Sequence, residues 1–469
     1  MRSWRSRRST SIRASVAASV AATVAGALAV TGSATGTADA APDTQSYTGR
    51  LPDGATWVAD VPTDWNGTLI LYSHGYSSLT AQDAANPATR QELLAEGYGM
   101  VGSSYSGPSL WALASAVDDQ FVSLRAVEKI VGEPRRTIAW GTSMGGLVSA
   151  LESQDPRGLI DGTLTTCGLV AGALNLNDYQ LDGEYVVSHL LSEQPIQLVR
   201  YRDQAEADAA VQALNQATAS AQGTPEGRAR VALAAALVNE PTWFSGPSAP
   251  AGRDYLAQEV QQEQALVGPG WSRYAGARPQ IELAAGGNSS ATAGVDFEAL
   301  LASSPHAAEV RALYRAAGLH LRADLRDLTR SADIHADPRA VATLTRTSMV
   351  TGHLGVPELN IHTVHDQLVP VEQENWYRRQ VRRAGSRSLL RQAYVDGTGH
   401  CAFQVNESIA ALHALEHRVD TGRWGAVARP RSLNASAASL SGDSAPRYVR
   451  FSPPRLVGGL GEPGRRHSS

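Results

Sequence analysis

The sequence predicts an α/β protein: a doubly wound, mainly parallel sheet interrupted by a large, mostly helical insertion. Three observations carry this. Strand-like apolar runs alternate with helical periodicity up to about residue 175 and again from 356 onward. One run, Thr137-Ile-Ala-Trp140, feeds straight into a glycine-lined turn around Ser143 and then a helical pattern. Between 176 and 345 the alternation stops, and alanine-rich helical periodicity takes over.

Residues 1–40 read as an export leader. Arg2, Arg5, Arg7, Arg8 and Arg13 precede a small, apolar run over 14–30, and Ala38-Asp-Ala40 fits a cleavage site. The run is short and weakly apolar for a membrane span. The protein is therefore expected outside the cell, without stable membrane association once the leader is removed. Removal takes five Arg and Asp39, which moves the net charge from −4 to about −8. No basic patch for nucleic acid is expected; there is no Gly-x-x-x-x-Gly-Lys-Ser/Thr phosphate loop, and no Gly-x-Gly-x-x-Gly after a strand.

The first part of the core spans 41–175. Thr56-Trp-Val-Ala-Asp-Val-Pro62 alternates as a strand, and Trp65-Asn-Gly67 turns the chain. Residues 68–75 form a nearly continuous apolar run ending at His74-Gly75, which suits a strand covered on both faces. A helix end over 91–97 precedes a strand over 98–104. Phe121, Leu124, Val127, Ile130 and Val131 recur at helical spacing over 117–131. The strand into Ser143 and its helix follow, then a strand over 159–170 that contains Cys167.

The insertion, 176–345, is expected to cap the strand ends. Helices are predicted over 204–220, 226–238, 255–266 and 306–317, with loop-rich breaks over 246–252 and 268–286. Trp243 and Trp271 are expected to hold this cap together. The second part of the core spans 346–429: a strand over 356–364, a helix over 371–383, a strand over 389–395 and a helix over 407–419. Residues 430–469 are rich in Ser, Ala, Gly, Pro and Arg and read as a flexible tail.

The chemistry follows from strand ends. Gly141-x-Ser143-x-Gly145 is the nucleophile-elbow pattern, in which glycines relieve collisions at a sharp strand-to-helix turn. A serine hydroxyl needs a base in contact, and the base needs an orienting acid. Asp366 follows one later strand and His400 follows the next, in the order Ser, Asp, His. His400 is expected to take and return the proton, and Asp366 to fix its tautomer. His362 and His365 read as packing or supporting groups, and Asp396 as a weaker acid candidate. The backbone N–H groups of Tyr76 and Met144 are the expected oxyanion donors. His74, next to Gly75, reads as a loop-ordering residue, because no second His or Cys sits at metal-ligand spacing. No metal or cofactor is required.

His74-Gly75, Gly141-Thr-Ser-Met-Gly145, Asp366-Gln-Leu-Val-Pro370 and Gly399-His400-Cys401 together resemble the α/β-hydrolase family, within its secreted bacterial serine hydrolases. The resemblance covers about 47–175 and 346–422 and implies a Ser-His-Asp mechanism. Cys401 after the histidine is similar to tannases and feruloyl esterases, in which it is bridged to a cysteine beside the nucleophile. Here Thr142 occupies that position, so the substrate class does not carry over. Cys167 and Cys401 both belong to strand ends on one rim of the sheet, and a disulfide between them is expected to pin the histidine loop.

The leading function is therefore an exported hydrolase of small-molecule or polymeric carboxylic esters. The alternative is a serine exopeptidase of aminopeptidase type, whose cap would hold a substrate amine with acids such as Glu259, Glu263 or Glu282. A non-enzymatic binding protein would have no need of three such residues at strand ends. Oligomeric state is left open by the sequence.

Overall fold

The computed structural model describes residues 43–440 and 445–465. The expected leader lies outside the described residues. The first strands are β1 (Thr44–Arg50), β2 (Thr56–Pro62) and β3 (Thr68–Ser73). Helix α1 (Pro87–Ala95), β4 (Gly99–Ser103), α2 (Leu113–Val131), β5 (Arg136–Thr142), α3 (Met144–Glu152) and β6 (Gly162–Thr166) follow. After a long helical stretch come β7 (Glu358–His365), α14 (Glu372–Arg383), β8 (Leu390–Thr398), α15 (Val405–Thr421), α16 (Pro430–Ser439) and β9 (Tyr448–Val449).

These strands form one sheet in the order β1-β2-β4-β3-β5-β6-β7-β8-β9. The pairs from β4 through β8 are parallel, and β1, β2 and β9 add antiparallel edges. Every residue of β3 is buried, as its continuous apolar run requires with helices on both faces. Sequence order reverses at β3, which has β4 on one side and β5 on the other. The crevice outside the carboxyl ends of β3 and β5 is thus the ligand-binding position of an open α/β sheet.

Local chemistry sets the element ends. Asn86 caps α1 by accepting from Thr89 N–H at 2.9 Å, with Pro87 in the first turn. Gln404 and Glu407 form a reciprocal capping box on α15, which stops at Gly422 in the left-handed region.

The stretch between β6 and β7 is helical: α4 (Ala173–Leu190), α5 (Gln204–Ala221), α6 (Pro225–Leu237), α7 (Tyr255–Ala265), α8 (Trp271–Tyr274), α9 (Arg278–Ala285), α10 (Phe297–Ser303), α11 (Ala307–Ala316), α12 (Leu321–Ser331) and α13 (Pro338–Thr347). Helix α6 is its central post. Residues 231–237 are all fully buried, and the helix packs on α4 and α11. Its alanines present a thin surface, so α4 approaches closely at Gly183, where a Cβ would collide with Val238. One hydrophobic cluster contains Met144, Leu147 and Val369 from the sheet side together with Leu237, Trp271 and Phe297 from the insertion. The insertion and the sheet thus share a core.

Three expectations are corrected. Residues 268–286 are not a loop-rich break. A π-helical turn over Leu266–Gly270 leads into α8 and α9. Gly268, Pro269 and Gly270 look like breakers in sequence, but a π turn absorbs them. The tail beyond 430, where described, is packed rather than poorly ordered. Helix α16 lies on α15, β9 extends the sheet beside β8, and Leu433, Leu456 and Val457 are fully buried. A few anchoring side chains outweigh a composition that reads as loose. Finally, overall negative charge conceals a local basic patch. Arg378, Arg379, Arg382, Arg387, Arg391 and Arg455 line a hollow of about 580 Å³ beside α14 and β8.

Candidate active site

Ser143 stands between β5 and α3 with φ 59° and ψ −121°, a conformation rare for a side-chain-bearing residue. Holding it costs about 1–3 kcal/mol, so the surroundings must over-determine it. They do. A Cβ at Gly141 would overlap the carbonyl of Gly145, and one at Gly145 would overlap that of Ser73. The elbow therefore nests between its own helix and the end of β3, and only glycine fits at either side. Ser143 N–H donates to Thr166 O at 3.0 Å, which ties the turn to β6.

The strand ends then bring the sequence-predicted residues together. His400 Nε2 lies 2.8 Å from Ser143 Oγ, and His400 Nδ1 lies 2.8 Å from Asp366 Oδ2. Asp366 is fully buried, in the tight loop after β7, and Oδ1 accepts Leu368 N–H at 3.0 Å and Val369 N–H at 2.9 Å. Burial works against its charge, but the charge and hydrogen bond of His400, the charge of His362 and the Val369 N–H hold its pKa below the usual carboxylate value. An ionised Asp366 fixes the proton of His400 on Nδ1 and leaves Nε2 free to accept from Ser143.

His362 supports this acid from behind. It is fully buried, with Nδ1 3.1 Å from Glu374 Oε1, Nε2 2.8 Å from Val369 O and Nε2 3.8 Å from Asp366 Oδ2. Both ring nitrogens face acceptors, which fits an imidazolium. Burial disfavours that cation, but Glu374 and Asp366 raise its pKa overall. Asp396 is exposed and is not the partner of His400. His365 packs edge-on against Trp243 at 5.3 Å. His74 is an ordering residue of its loop: the ring stacks on Tyr105 at 4.2 Å, and Nδ1 lies 2.8 Å from Gly75 O.

Cys167 and Cys401 form a disulfide with Cα atoms 5.3 Å apart. Both have positive φ, 45° and 55°, so the bond joins two sharp turns at the same rim as Ser143. Cys401 Sγ also lies 3.4 Å from His400 Nε2. The ligand-type atoms of Cys167, His400 and Cys401 cluster within 4.8 Å, but the two sulfurs are bonded to each other and His400 faces Ser143. A disulfide sulfur lacks the thiolate a metal needs.

Above Ser143 lies a cavity of about 150 Å³. Tyr76 and Met144 line it with Ser143 and His400, and neither backbone N–H finds a partner among the described residues. Met144 opens α3, so its N–H belongs to the unpaired first turn at the positive end of the helix dipole. Trp111, Leu169 and Leu176 give apolar walls, and α8 and α9 contribute Arg273 and Ile281.

Sequence reasoning missed Tyr274 and Glu240. Tyr274 Oη is 2.8 Å from Gln367 O and 3.2 Å from Glu240 Oε2. One hydroxyl hydrogen cannot serve both acceptors. Burial pushes Glu240 well above the usual carboxyl pKa, so a protonated Glu240 donates to Tyr274, which donates to Gln367. No sequence signal marks this relay, because its members come from three separate segments. The acids expected to hold a substrate amine are elsewhere. Glu259 is buried against Gln222 at 2.6 Å, Glu282 accepts from Arg200 N–H at 2.8 Å, and neither they nor Glu263 line the cavity. Trp271 is fully buried and donates to Thr218 Oγ1 at 3.1 Å, holding the insertion together as expected.

The sheet order, the strand–turn–helix at Ser143 and the acid and histidine after β7 and β8 define the α/β-hydrolase fold. No family model matches the chain. It is 27% identical over 430 residues to an o-phthalyl amidase of Xanthobacter agilis, an alignment covering 86% of this chain and 93% of that protein. Among solved structures it is similar to an acylaminoacyl peptidase at 10% identity and TM-score 0.36, covering 80% of this chain and 41% of the other. It is also similar to brefeldin A esterase at 14% identity and TM-score 0.35, covering 85% and 79%. An esterase of Pyrococcus furiosus matches at 11% identity and TM-score 0.37, covering 80% and 90%.

Proposed function

We propose that this protein is an exported serine hydrolase that cleaves carboxylic acid derivatives, esters and amides, through an acyl-enzyme on Ser143. The observation that carries the reading is the hydrogen-bonded series from Ser143 Oγ through His400 to Asp366, each contact 2.8 Å. Ser143 Oγ attacks the carbonyl carbon while His400 Nε2 takes its proton. The oxyanion that forms sits against the free N–H groups of Tyr76 and Met144. His400 then gives the proton to the leaving oxygen or nitrogen as the bond to carbon breaks. A water molecule, deprotonated by His400, attacks the acyl-enzyme, and the proton returns to Ser143 Oγ as the acid leaves.

The sequence favoured esters. The similarity to an o-phthalyl amidase over most of both chains supports including amides, as does a histidine placed to protonate a departing nitrogen. Export is supported by the pattern of residues 1–40 and by the disulfide. No helix among the described residues is long and apolar enough to cross a membrane.

The test pairs p-nitrophenyl esters of increasing acyl length with acyl p-nitroanilides, using protein lacking the leader and its Ser143→Ala variant. Turnover that disappears in Ser143→Ala, with an unchanged melting temperature, supports the reading. Equal turnover in both proteins, or none with any ester or anilide, overturns it.

A further inference from the structure

Among the described residues, Arg273 is the one permanently charged side chain lining the cavity above Ser143. It is exposed, and its guanidinium finds no hydrogen-bond acceptor or carboxylate among the described residues. No described acid lines the cavity, and Asp366, Glu240 and Glu282 have partners elsewhere: Asp366 in His400 and two backbone N–H groups, Glu240 in Tyr274, and Glu282 in the Arg200 N–H. The other walls are largely apolar. A cation facing such a cavity, with its counter-charge missing, favours an anionic group brought in by a ligand.

Its support is rigid. Arg273 belongs to α8, whose other large side chains, Trp271 and Tyr274, are 0% and 1% exposed. Trp271 is tied to Thr218 of α5, and Tyr274 to Gln367 beside Asp366. The base of the arginine is thus fixed relative to the reacting residues, although its tip is free. The tip lies near Tyr76: burial pushes the Tyr76 phenol up to about 12, and the positive charge of Arg273 opposes that rise. The Tyr76 N–H is one of the two donors assigned to the oxyanion.

We infer that Arg273 is a specificity-determining residue, which binds a carboxylate carried on the acyl portion of the substrate, next to the carbonyl that Ser143 attacks. This rests on the proposed hydrolase reading and names its substrate class: acyl groups bearing a second, ionised acid. A guanidinium fork matches a carboxylate bidentately, which fixes orientation as well as charge. A substrate amine would meet repulsion at the same place.

The experiment compares benzoyl p-nitroanilide with its 2-, 3- and 4-carboxybenzoyl counterparts, or the corresponding p-nitrophenyl esters. The wild-type protein is expected to prefer at least one carboxylated isomer over the benzoyl compound by about tenfold or more in kcat/KM. In Arg273→Gln that ratio collapses towards one, and in Arg273→Glu it inverts. Raised salt narrows the wild-type ratio. An unchanged ratio in Arg273→Gln overturns the inference. So does an equal fall for charged and neutral compounds, which would assign Arg273 to the oxyanion instead.

A binding measurement separates this from the chemistry. The Ser143→Ala variant is expected to melt at higher temperature with the preferred carboxylated anilide than with the benzoyl one, and Ser143→Ala/Arg273→Gln is expected to lose the difference. That shift without turnover in the wild type would sink the hydrolase reading alone. Turnover without the shift would sink the role of Arg273 alone.

Discussion

The hydroxyl of Tyr274 donates to the carbonyl of Gln367 across 2.8 Å, so a side chain of the insertion holds the loop that presents Asp366. Tyr274→Phe leaves the Gln367 carbonyl and Glu240 without that partner. The expected cost is about 1–3 kcal/mol in urea unfolding. Because the loop orients the acid behind His400, kcat should fall severalfold with little change in KM. A fall in stability with kcat intact would limit Tyr274 to packing.

The Cys167–Cys401 bridge joins residues 234 apart and thereby encloses the whole insertion. The Cys167→Ala/Cys401→Ala double variant should lose about 2–5 kcal/mol of stability. Cys401 adjoins His400, so kcat should fall as well. Full activity at a lowered melting temperature would show that the histidine loop is positioned without the bridge.

Glu152 closes α3, fully buried, with Ser73 Oγ 3.4 Å from Oε1. Burial pushes its carboxyl up to about 8 from 4.5, with the Ser73 hydrogen bond opposing. Between these values the folded state holds a proton that the unfolded state has released. Stability contributed by this group is present below about pH 4.5, declines as pH rises, and levels off above about 8. Glu152→Gln should flatten that part of the stability–pH curve, as measured by urea midpoints from pH 5 to 9. A curve parallel to the wild type would mean that Glu152 is ionised throughout.

The reach of the sequence follows the reach of the interactions. The turn at Ser143 was legible because its glycines, strand and helix all lie within ten residues. Asp366 and His400 were legible because a parallel sheet aligns strand ends, so position along a strand becomes position in space. Arg273 and Tyr274 were not, since α8 has four residues and follows Gly268, Pro269 and Gly270. No periodicity can appear in one helical turn. The packing of residues 445–465 was hidden for the opposite reason: β9 is two residues long, and its segment is fastened by contacts to distant α4.

Arg465 pairs with Asp182 at 2.6 Å and Asp178 at 3.3 Å, with 6% of its side chain exposed. Arg465→Ala strands two buried acids and should cost about 3–5 kcal/mol in urea unfolding. Adding Asp178→Asn and Asp182→Asn should recover part of the loss. No recovery would show that the arginine acts through its hydrogen bonds to the Gly458 and Ala291 carbonyls rather than through the two acids.

Asp182 and Arg465 are 283 residues apart, so the ribosome makes the acids long before their cation. Until the last of these residues emerges, α4 carries two carboxyl groups with no ion to receive them. The same helix supplies Leu176 and Gln180 to the cavity above Ser143. The chamber wall therefore leans on a cation made 283 residues after Asp182, and a chain holding a complete Ser143 turn still lacks that brace until Arg465 is in place.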